Sequence, residues 1–416
     1  MSDSFLTHSM IAERALFDLY NQMTMSRHVY KGYNTNFNAV VGGYKKGNSV
    51  SIQLPNKFRE KDGPDIDVVD IIERSTTVTV DVHKHVAWDF LETDLTLNIE
   101  GFSKKYVVPA TNTLANGVDF RGCGEYDQIY NLVGTPGTTP ATFGVLAAAA
   151  ARMDNEAVPR DSRLCVLSSK AHWSMANGEL KSVFQQQIVD TLLRKGFIGN
   201  FALMDFFMDQ NIQSHTVGDH STGAPTPVMN GATAEGAEAL VTNGWGGSND
   251  LKKGDVITVA NVCGVNPVSG MVWEGSELRQ FVVTSDCDDD GSGNMTIPIA
   301  PKIYSAAADE EYLPYQTVDA LPLNGAGITV VGTASSVYAQ NLAYHPDCFA
   351  LTMVPFAKPK SAGQSVMWAQ ASDPHLGISI TVSTGFDISH FKEVTRLDVL
   401  YGWDTIRREL GVRITG

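Results

Sequence analysis

The stretch Gly47-Asn48-Ser49-Val50-Ser51-Ile52-Gln53-Leu54-Pro55 sets Val50, Ile52 and Leu54 at every second position between polar side chains. That period marks a strand with one apolar face, and Pro55, with no N–H to donate, ends it. A second alternation begins at Ser75. Val78, Val80 and Val82 share one face, and Val86, Trp88 and Phe90 continue it after Lys84. Thr77, Thr79, Asp81, His83 and His85 lie on the other face. Between the two runs, Lys57 to Pro64 is dense in charge and contains Asp62-Gly63, the composition of an exposed excursion. The span Ser49 to about Leu97 therefore reads as a long hairpin-like arm. Two strands alone are marginal in water, so the arm needs a further surface to lie on.

Outward from the arm, charge divides the chain. Of a net −15 over 416 residues, the region from Ala224 to His345 carries −10, with 14 acidic and 4 basic side chains. Its texture differs too: short β-branched runs, many glycines and no long amphipathic stretch. Strands are expected at Val256–Val262, Arg279–Thr284 and Met295–Ile299, separated by turn residues, as in a small barrel or sandwich. The region reads as a mostly β domain inserted into an α+β host whose two flanks form one domain.

In the host, Ile11, Leu16, Tyr20 and Met23 predict an N-terminal helix within Leu6–Met23. Arg27 to Lys46, rich in aromatics, Gly and Asn, reads as an extended segment. Pro109 to Leu132 has helical apolar spacing, but Gly117, Gly122 and Gly124 each oppose a helix by about 1 kcal/mol against Ala. Phe143–Met153 is Ala-rich and helical, and Leu164–Leu167 is a buried strand. Leu180, Phe184, Ile188 and Leu192 mark the clearest amphipathic helix, ended by Gly196 and Gly199. Cys348–Val354 and Ile378–Thr384 read as strands.

Composition excludes several classes. Hydrophobic residues are 43% and charged residues 19%, enough apolar content for a full core. The acidic balance lacks the basic stripe of a specific nucleic-acid groove. No apolar run approaches the length of a membrane span, and Met1–Met10 lacks the blocks of a secretory signal. The five cysteines, Cys123, Cys165, Cys263, Cys287 and Cys348, are odd in number and form no CxxC pair, which fits simple buried thiols.

Motifs that carry chemistry are weak throughout. Asp219, His220 and Ser221 are adjacent, whereas a triad needs facing groups brought together by the fold. Asp286, Asp288 and Asp290, followed by Gly291, open like a calcium loop. The twelfth position is Ile297 where a bidentate Glu is needed, so a solvated turn is expected over a weak cation site. His83 and His85 share a strand face and supply half of a zinc site. His345-Pro346-Asp347 reads as a turn and cap. Gly325-Ala326-Gly327 lacks the dinucleotide fingerprint, and the glycines around Lys45-Lys46 do not make a phosphate-binding loop. No catalytic residue and no cofactor is expected, because nucleophile, base and oxyanion donor never occur together.

Several ordered stretches carry a family resemblance: Leu6-Thr7 with Ile11-Ala12-Glu13-Arg14-Ala15-Leu16, then Gly47–Pro55; Leu193-Arg194-Lys195-Gly196-Phe197-Ile198-Gly199 leading to His215-Thr216-Val217-Gly218; and Leu251-Lys252-Lys253-Gly254-Asp255-Val256-Ile257-Thr258-Val259. Near the end come His345-Pro346-Asp347-Cys348-Phe349-Ala350-Leu351, Phe386-Asp387-Ile388 and Arg396-Leu397-Asp398-Val399-Leu400-Tyr401-Gly402. In order and spacing these resemble the major capsid proteins of tailed phages with the HK97-like fold, and more narrowly the P22 coat protein family. The glycine run Gly117–Gly124 departs from the family's long spine helix.

The resemblance implies an α+β, HK97-like capsid fold with an extended β arm, a spine helix and a small inserted β-barrel. Its implied segments are 1–48, N-terminal helix and arm; 49–97, extended loop; 98–223, peripheral domain with the spine helix and the first part of the axial domain; 224–345, acidic insertion; 346–416, the remainder of the axial and peripheral domains. It implies a subunit that self-assembles into hexamers and pentamers of an icosahedral shell around double-stranded DNA. Expected partners are many copies of itself, a scaffolding protein and a portal protein, with no membrane. The expected place is the virion capsid, assembled in the bacterial host cytoplasm. Lys31, Lys45, Lys46, Lys57, Arg59 and Lys61 are the basic groups placed to meet acidic neighbours, where opposed charge sets register and steers approach. A tail or decoration component forming a small oligomer is the alternative, and a hydrolase is the third reading.

Overall fold

The computed structural model describes residues 8–33, 40–41, 44–45, 47–60, 63–64, 68, 70–90, 103–177, 200–220, 226–246, 250–356, 366–373, 376–387 and 392–416. The helix expected over Leu180–Leu193, with Gly196 and Gly199, lies outside them. The chain forms two compact units, each built from three segments. The first is Met1–Ile52, Thr76–Cys123 and Phe349–Ile406; the second is Gln53–Ser75, Gly124–Cys348 and Arg407–Gly416.

The first unit is organised by the long strand Lys392–Thr405. It pairs antiparallel with Ile378–Asp387, which in turn pairs with Val366–Asp373. Phe349–Met353 pairs with its Tyr401–Thr405 end and Val82–Phe90 with Glu393–Tyr401. Leu397, Val399, Tyr401 and Trp403 are buried along one face. Val82, Val86 and Trp88 pair with Tyr401, Leu397 and Thr395, so the alternation read from sequence is the pleat of this sheet. Part of the span assigned to the projecting arm is thus a sheet strand of the unit. The pair Ser49–Gln53 and Ser75–Thr79 also packs at home: Val50, Ile52, Val78 and Val80 form an apolar cluster against Tyr33, Val354, Leu400 and Ile406.

Two helices serve this sheet. His8–Gln22 buries Ile11, Ala12, Ala15 and Leu19. The expected helix is present, but its buried face is turned relative to the Leu16–Tyr20 line, which is only half-buried. Val108–Cys123 runs without a break through Gly117 and Gly122, and a 3-10 turn over Gly124–Gln128 follows. The doubt that glycine raised is answered by packing. A Cβ on Gly122 would stand 2.5 Å from the Trp403 ring, so only glycine lets strand and helix approach. Gly117 faces open space. The Tyr401 hydroxyl donates to the Gly117 carbonyl at 3.2 Å and the Trp403 indole N–H to the Val118 carbonyl at 3.1 Å. Buried Asp119 accepts from the Thr24 and Ser26 N–H groups at 2.7 and 2.8 Å and ties the Met25–His28 turn to the helix.

The second unit holds two six-stranded sheets. One has the order Leu132–Val133, Gly411–Ile414, Asn341–Tyr344, Arg163–Leu167, Met204–Met208, Asn200–Phe201. Arg163–Leu167, Asn341–Tyr344 and Gly411–Ile414 are buried at every position, which explains the continuous apolar run read at Leu164. The other sheet has the order Val228–Met229, Ala237–Asn243, Met295–Ile303, Leu278–Val283, Val256–Cys263, Ile328–Val330. Its outer strands meet: Val228 bridges Gly327, and Met229 exchanges backbone hydrogen bonds with Gly325 and Ala326 at 2.9 Å. A core of its own, including Leu240, Ile257, Phe281, Ile297 and Ile328, fills this sheet. The compact unit itself runs from Gly124 to Cys348 without a division at residue 224.

Within this unit a buried polar seam ties the second sheet to the first. Gln280 brackets Leu132, accepting from its N–H at 2.7 Å and donating to its carbonyl at 2.9 Å. Arg279 is 2% exposed, meets Glu156 at 2.6 Å and lies over the Tyr130 and Trp273 rings at 4.6 and 5.2 Å. Burial pushes the Glu156 carboxyl up, opposed by Arg279; burial also opposes the Arg279 charge, which Glu156 sustains. His215 joins Asp255 at 2.8 Å and the Tyr126 hydroxyl at 3.2 Å. Arg413 donates to the Gly254 carbonyl at 2.8 Å.

Candidate functional site

The basic groups expected to reach neighbours have distinct surroundings. Lys31 is half-buried, donates to the Arg27 carbonyl at 3.2 Å and lies 5.7 Å from the Tyr20 ring centre. Burial lowers its pKa to about 8, against the upward pull of Asp119. Lys45 sits in the two-residue strand Tyr44–Lys45, paired with Val40–Val41. Lys46 and Lys61 lie outside the described residues.

Lys57 and Arg59 belong to a strap, Gln53–Ser75, of the second unit. Leu54 N–H donates to the Arg74 carbonyl at 2.8 Å and closes the strap at its base. Tyr315 holds the interior. Its hydroxyl donates to the Ile72 carbonyl at 3.2 Å and accepts from the Lys57 N–H at 3.4 Å. The Arg74 guanidinium covers its ring at 4.3 Å. Arg59 donates to Gln316 Oε1 at 3.1 Å. Burial lowers the Lys57 pKa, partly offset by Glu409. The Lys57 backbone and the Arg59 side chain are therefore engaged by their own chain, a partnership that charge density alone could not reveal because Tyr315 and Gln316 lie far away in sequence.

The acidic turn satisfies itself. Asp286 accepts from the Lys253 N–H at 2.7 Å, Asp289 from the Gly291 N–H at 3.1 Å and Asp290 from the Ser292 and Asn294 N–H groups at 2.8 and 3.1 Å. The hydrogen bonds from Asn294 and Ser292 hold the Asp290 carboxyl below its ordinary range. These are the capping bonds of a loop. Asp286, Asp288 and Asp290 do not converge on a point among the described residues. His345 and Asp347 stay within their own turn, with the Asp347 N–H 3.3 Å from His345 Nδ1. Cys123, Cys165 and Cys348 are buried thiols, and burial pushes the pKa up in the last two.

His83 and His85 do share a face, as the strand period required, and they gain a third neighbour. Asp398 is paired directly with His85 in the ladder, and His83 Nε2 stands 2.7 Å from its Oδ1. The ligand atoms of the three side chains lie within 4.8 Å of one another. Sequence reading missed Asp398, although the alternation Arg396-Leu397-Asp398-Val399 puts it on the outer face of its own strand. Among the described residues, no set of nucleophile, base and oxyanion donor accompanies these groups.

Against known proteins, the model of the P22 coat protein family, described as gene protein 5, matches residues 16–416. The chain belongs to the P22 coat protein family. No curated protein matches it. Solved structures share its outline loosely. That of Mycobacterium phage Che8 is 12% identical, with 94% of this chain and 90% of that one covered and a TM-score of 0.47. The capsid structure of the cyanophage P-SCSP1u is 9% identical over 89% and 84%, with a TM-score of 0.40. The asymmetric unit of the bacteriophage PhiM1 mature capsid is 8% identical over 89% and 82%, with a TM-score of 0.39. At these scores the family model alone carries the assignment. As a coat protein, the chain is a structural subunit of a phage capsid and not an enzyme.

Proposed function

We propose that copies of this chain close into an icosahedral shell of hexamers and pentamers around double-stranded DNA, with a scaffolding protein and a portal as partners, in the cytoplasm of a bacterial host. The observation that carries this reading is the coat-family match over residues 16–416. Closed symmetry fits a chain that must meet itself at many repeated surfaces. The net charge of −15 supports it, since a cationic wall would hold the duplex tightly and in a salt-dependent way.

In this reading, 224–345 is an inserted β-barrel; its support is the separate apolar core and the meeting of the outer strands at Val228 and Gly327. Val108–Cys123 is the spine helix. Contacts to neighbours fall to the segment around Lys31, Lys45 and Lys46 and to Lys61, while Lys57 and Arg59 change partners only if the strap leaves Tyr315. The test is to incubate the purified chain with and without its scaffolding protein and to image the products by negative stain. Closed particles are expected. A product that stops at a trimer or small ring would overturn the reading in favour of a tail or decoration component.

A further inference from the structure

We propose that His83, His85 and Asp398 form a three-ligand site for a zinc-class transition-metal ion. In an antiparallel ladder, residues two apart on one strand project to the same face as the residue opposite. His85 is opposite Asp398 and His83 is diagonal to it, so two imidazoles and one carboxylate converge from two adjacent strands. The donor set is chemically apt. Imidazole and carboxylate suit zinc, whereas calcium and magnesium take oxygen ligands almost alone.

The surroundings are built to hold the carboxylate. Asp398 is 7% exposed at its side chain, and Arg396 Nε donates to its Oδ2 at 2.7 Å. That bond holds one carboxylate oxygen as an outer-shell partner does, while Oδ1 faces both His83 and Arg396 Nη2. The Phe356 ring packs on His83, with ring centres 4.6 Å apart. The His83 side chain is 43% exposed and His85 is exposed, so an ion reaches both from solvent.

Binding requires one local change. His83 Nε2 and Asp398 Oδ1 are now hydrogen-bonded at 2.7 Å. Around a tetrahedral ion, ligand atoms stand roughly 3.3 Å apart. His83 moves back by about half an ångström and binds the ion through the Nε2 lone pair as the neutral tautomer with its proton on Nδ1. Arg396 Nη2, which also meets Oδ1 and lies 3.4 Å from His83 Nε2, is the opposing charge. It keeps the Oδ2 bond and yields Oδ1. The fourth position stays open to water or to a donor brought from outside. An ion held here clamps the edge strand Val82–Phe90 to Lys392–Thr405.

The test uses the purified full chain and the metal alone. Zinc chloride is titrated calorimetrically into wild type, His83→Ala and His85→Ala, with far-UV circular dichroism confirming that the folds agree. Wild type should take up one zinc ion saturably in the micromolar range, and each variant should bind at least tenfold more weakly. Cobalt(II) should give ligand-field bands without a thiolate charge-transfer band, which separates this site from Cys263 and Cys287. Absence of saturable uptake, affinity unchanged in both variants, a thiolate band, or displacement by millimolar magnesium would each refute the site. The two variants report independently, so misfolding of one leaves the other decisive.

Discussion

Arg279 offers the sharpest test of how the two sheets of the second unit are joined. Its guanidinium is fully buried, paired with Glu156 at 2.6 Å and faced by Tyr130 and Trp273. Removing one partner of a buried pair costs about 3–5 kcal/mol, because the other charge is stranded. The two partners differ in their escape. A stranded Glu156 can take a proton, toward which burial already pushes it, and Arg152 lies near enough to pull on it. A stranded Arg279 cannot lose its charge. Arg279→Met also keeps the apolar stem and removes the Nε–H, which has no hydrogen-bond partner, returning about 1–3 kcal/mol. The lost ring contacts cost up to about 2 kcal/mol. Arg279→Met should therefore destabilise by about 2–4 kcal/mol, and Glu156→Leu by more, near the top of the 3–5 kcal/mol range. The double variant should cost clearly less than the two added together. Urea unfolding of the monomer, followed by Trp fluorescence and far-UV dichroism, measures all three. A Glu156→Leu cost no greater than that of Arg279→Met, or strictly additive costs, would refute this account of the seam.

Other expectations concern single contacts. Gly122→Ala should destabilise by about 1–3 kcal/mol by forcing the helix off Trp403, while Gly117→Ala should be neutral or stabilise by up to about 1 kcal/mol; thermal melts of the pair decide. Asp404, whose pKa burial raises to about 6 while the Thr79 N–H donates to it at 2.8 Å, binds its proton more tightly in the folded chain. Unfolding free energy should thus fall as pH climbs from about 4 to about 6 and remain lower above that. The full shift is worth about 3 kcal/mol, and partial exposure reduces it to about 1 kcal/mol. Asp404→Asn should flatten that fall, and unchanged pH profiles of stability would contradict it. Tyr315→Phe keeps the ring under Arg74 but loses the hydroxyl bonds to Ile72 and Lys57, worth about 1 kcal/mol. Protease cleavage within Gln53–Ser75 should then quicken about fivefold in a limited digest.

Local pattern and distant packing were unequally legible in the residues. Strands with period two were readable because the pleat is a local property: Val50 and Ile52, and Val78 and Val80, are buried together as their alternation required. The N-terminal helix was readable as a helix, but its buried face was not, because Ala12 and Ala15 carry little signal and are selected by close contact. Glycine in Val108–Cys123 looked like a defect, since its reason, Trp403, is remote in sequence. The same holds for the site. The His83–His85 pair was visible in one strand, whereas Asp398 came from another segment, and the basic strap looked free until Tyr315 was seen beneath it. The acidic turn was read correctly as a turn because Asp–backbone capping is local.

The strand Gly411–Ile414 sits between Leu132–Val133 and Asn341–Tyr344, so the ribosome delivers this plank of the second unit only after both of its neighbours. Until it emerges, two strands face an empty slot and the sheet cannot close. The first unit likewise waits for Lys392–Thr405, against which every other strand of its large sheet is directly or indirectly aligned. For a protein made in many copies, this order ties each unit's surface to its late strands: a chain stopped before Lys392 lacks the strand that organises the first unit, and one stopped before Gly411 leaves a gap in the second.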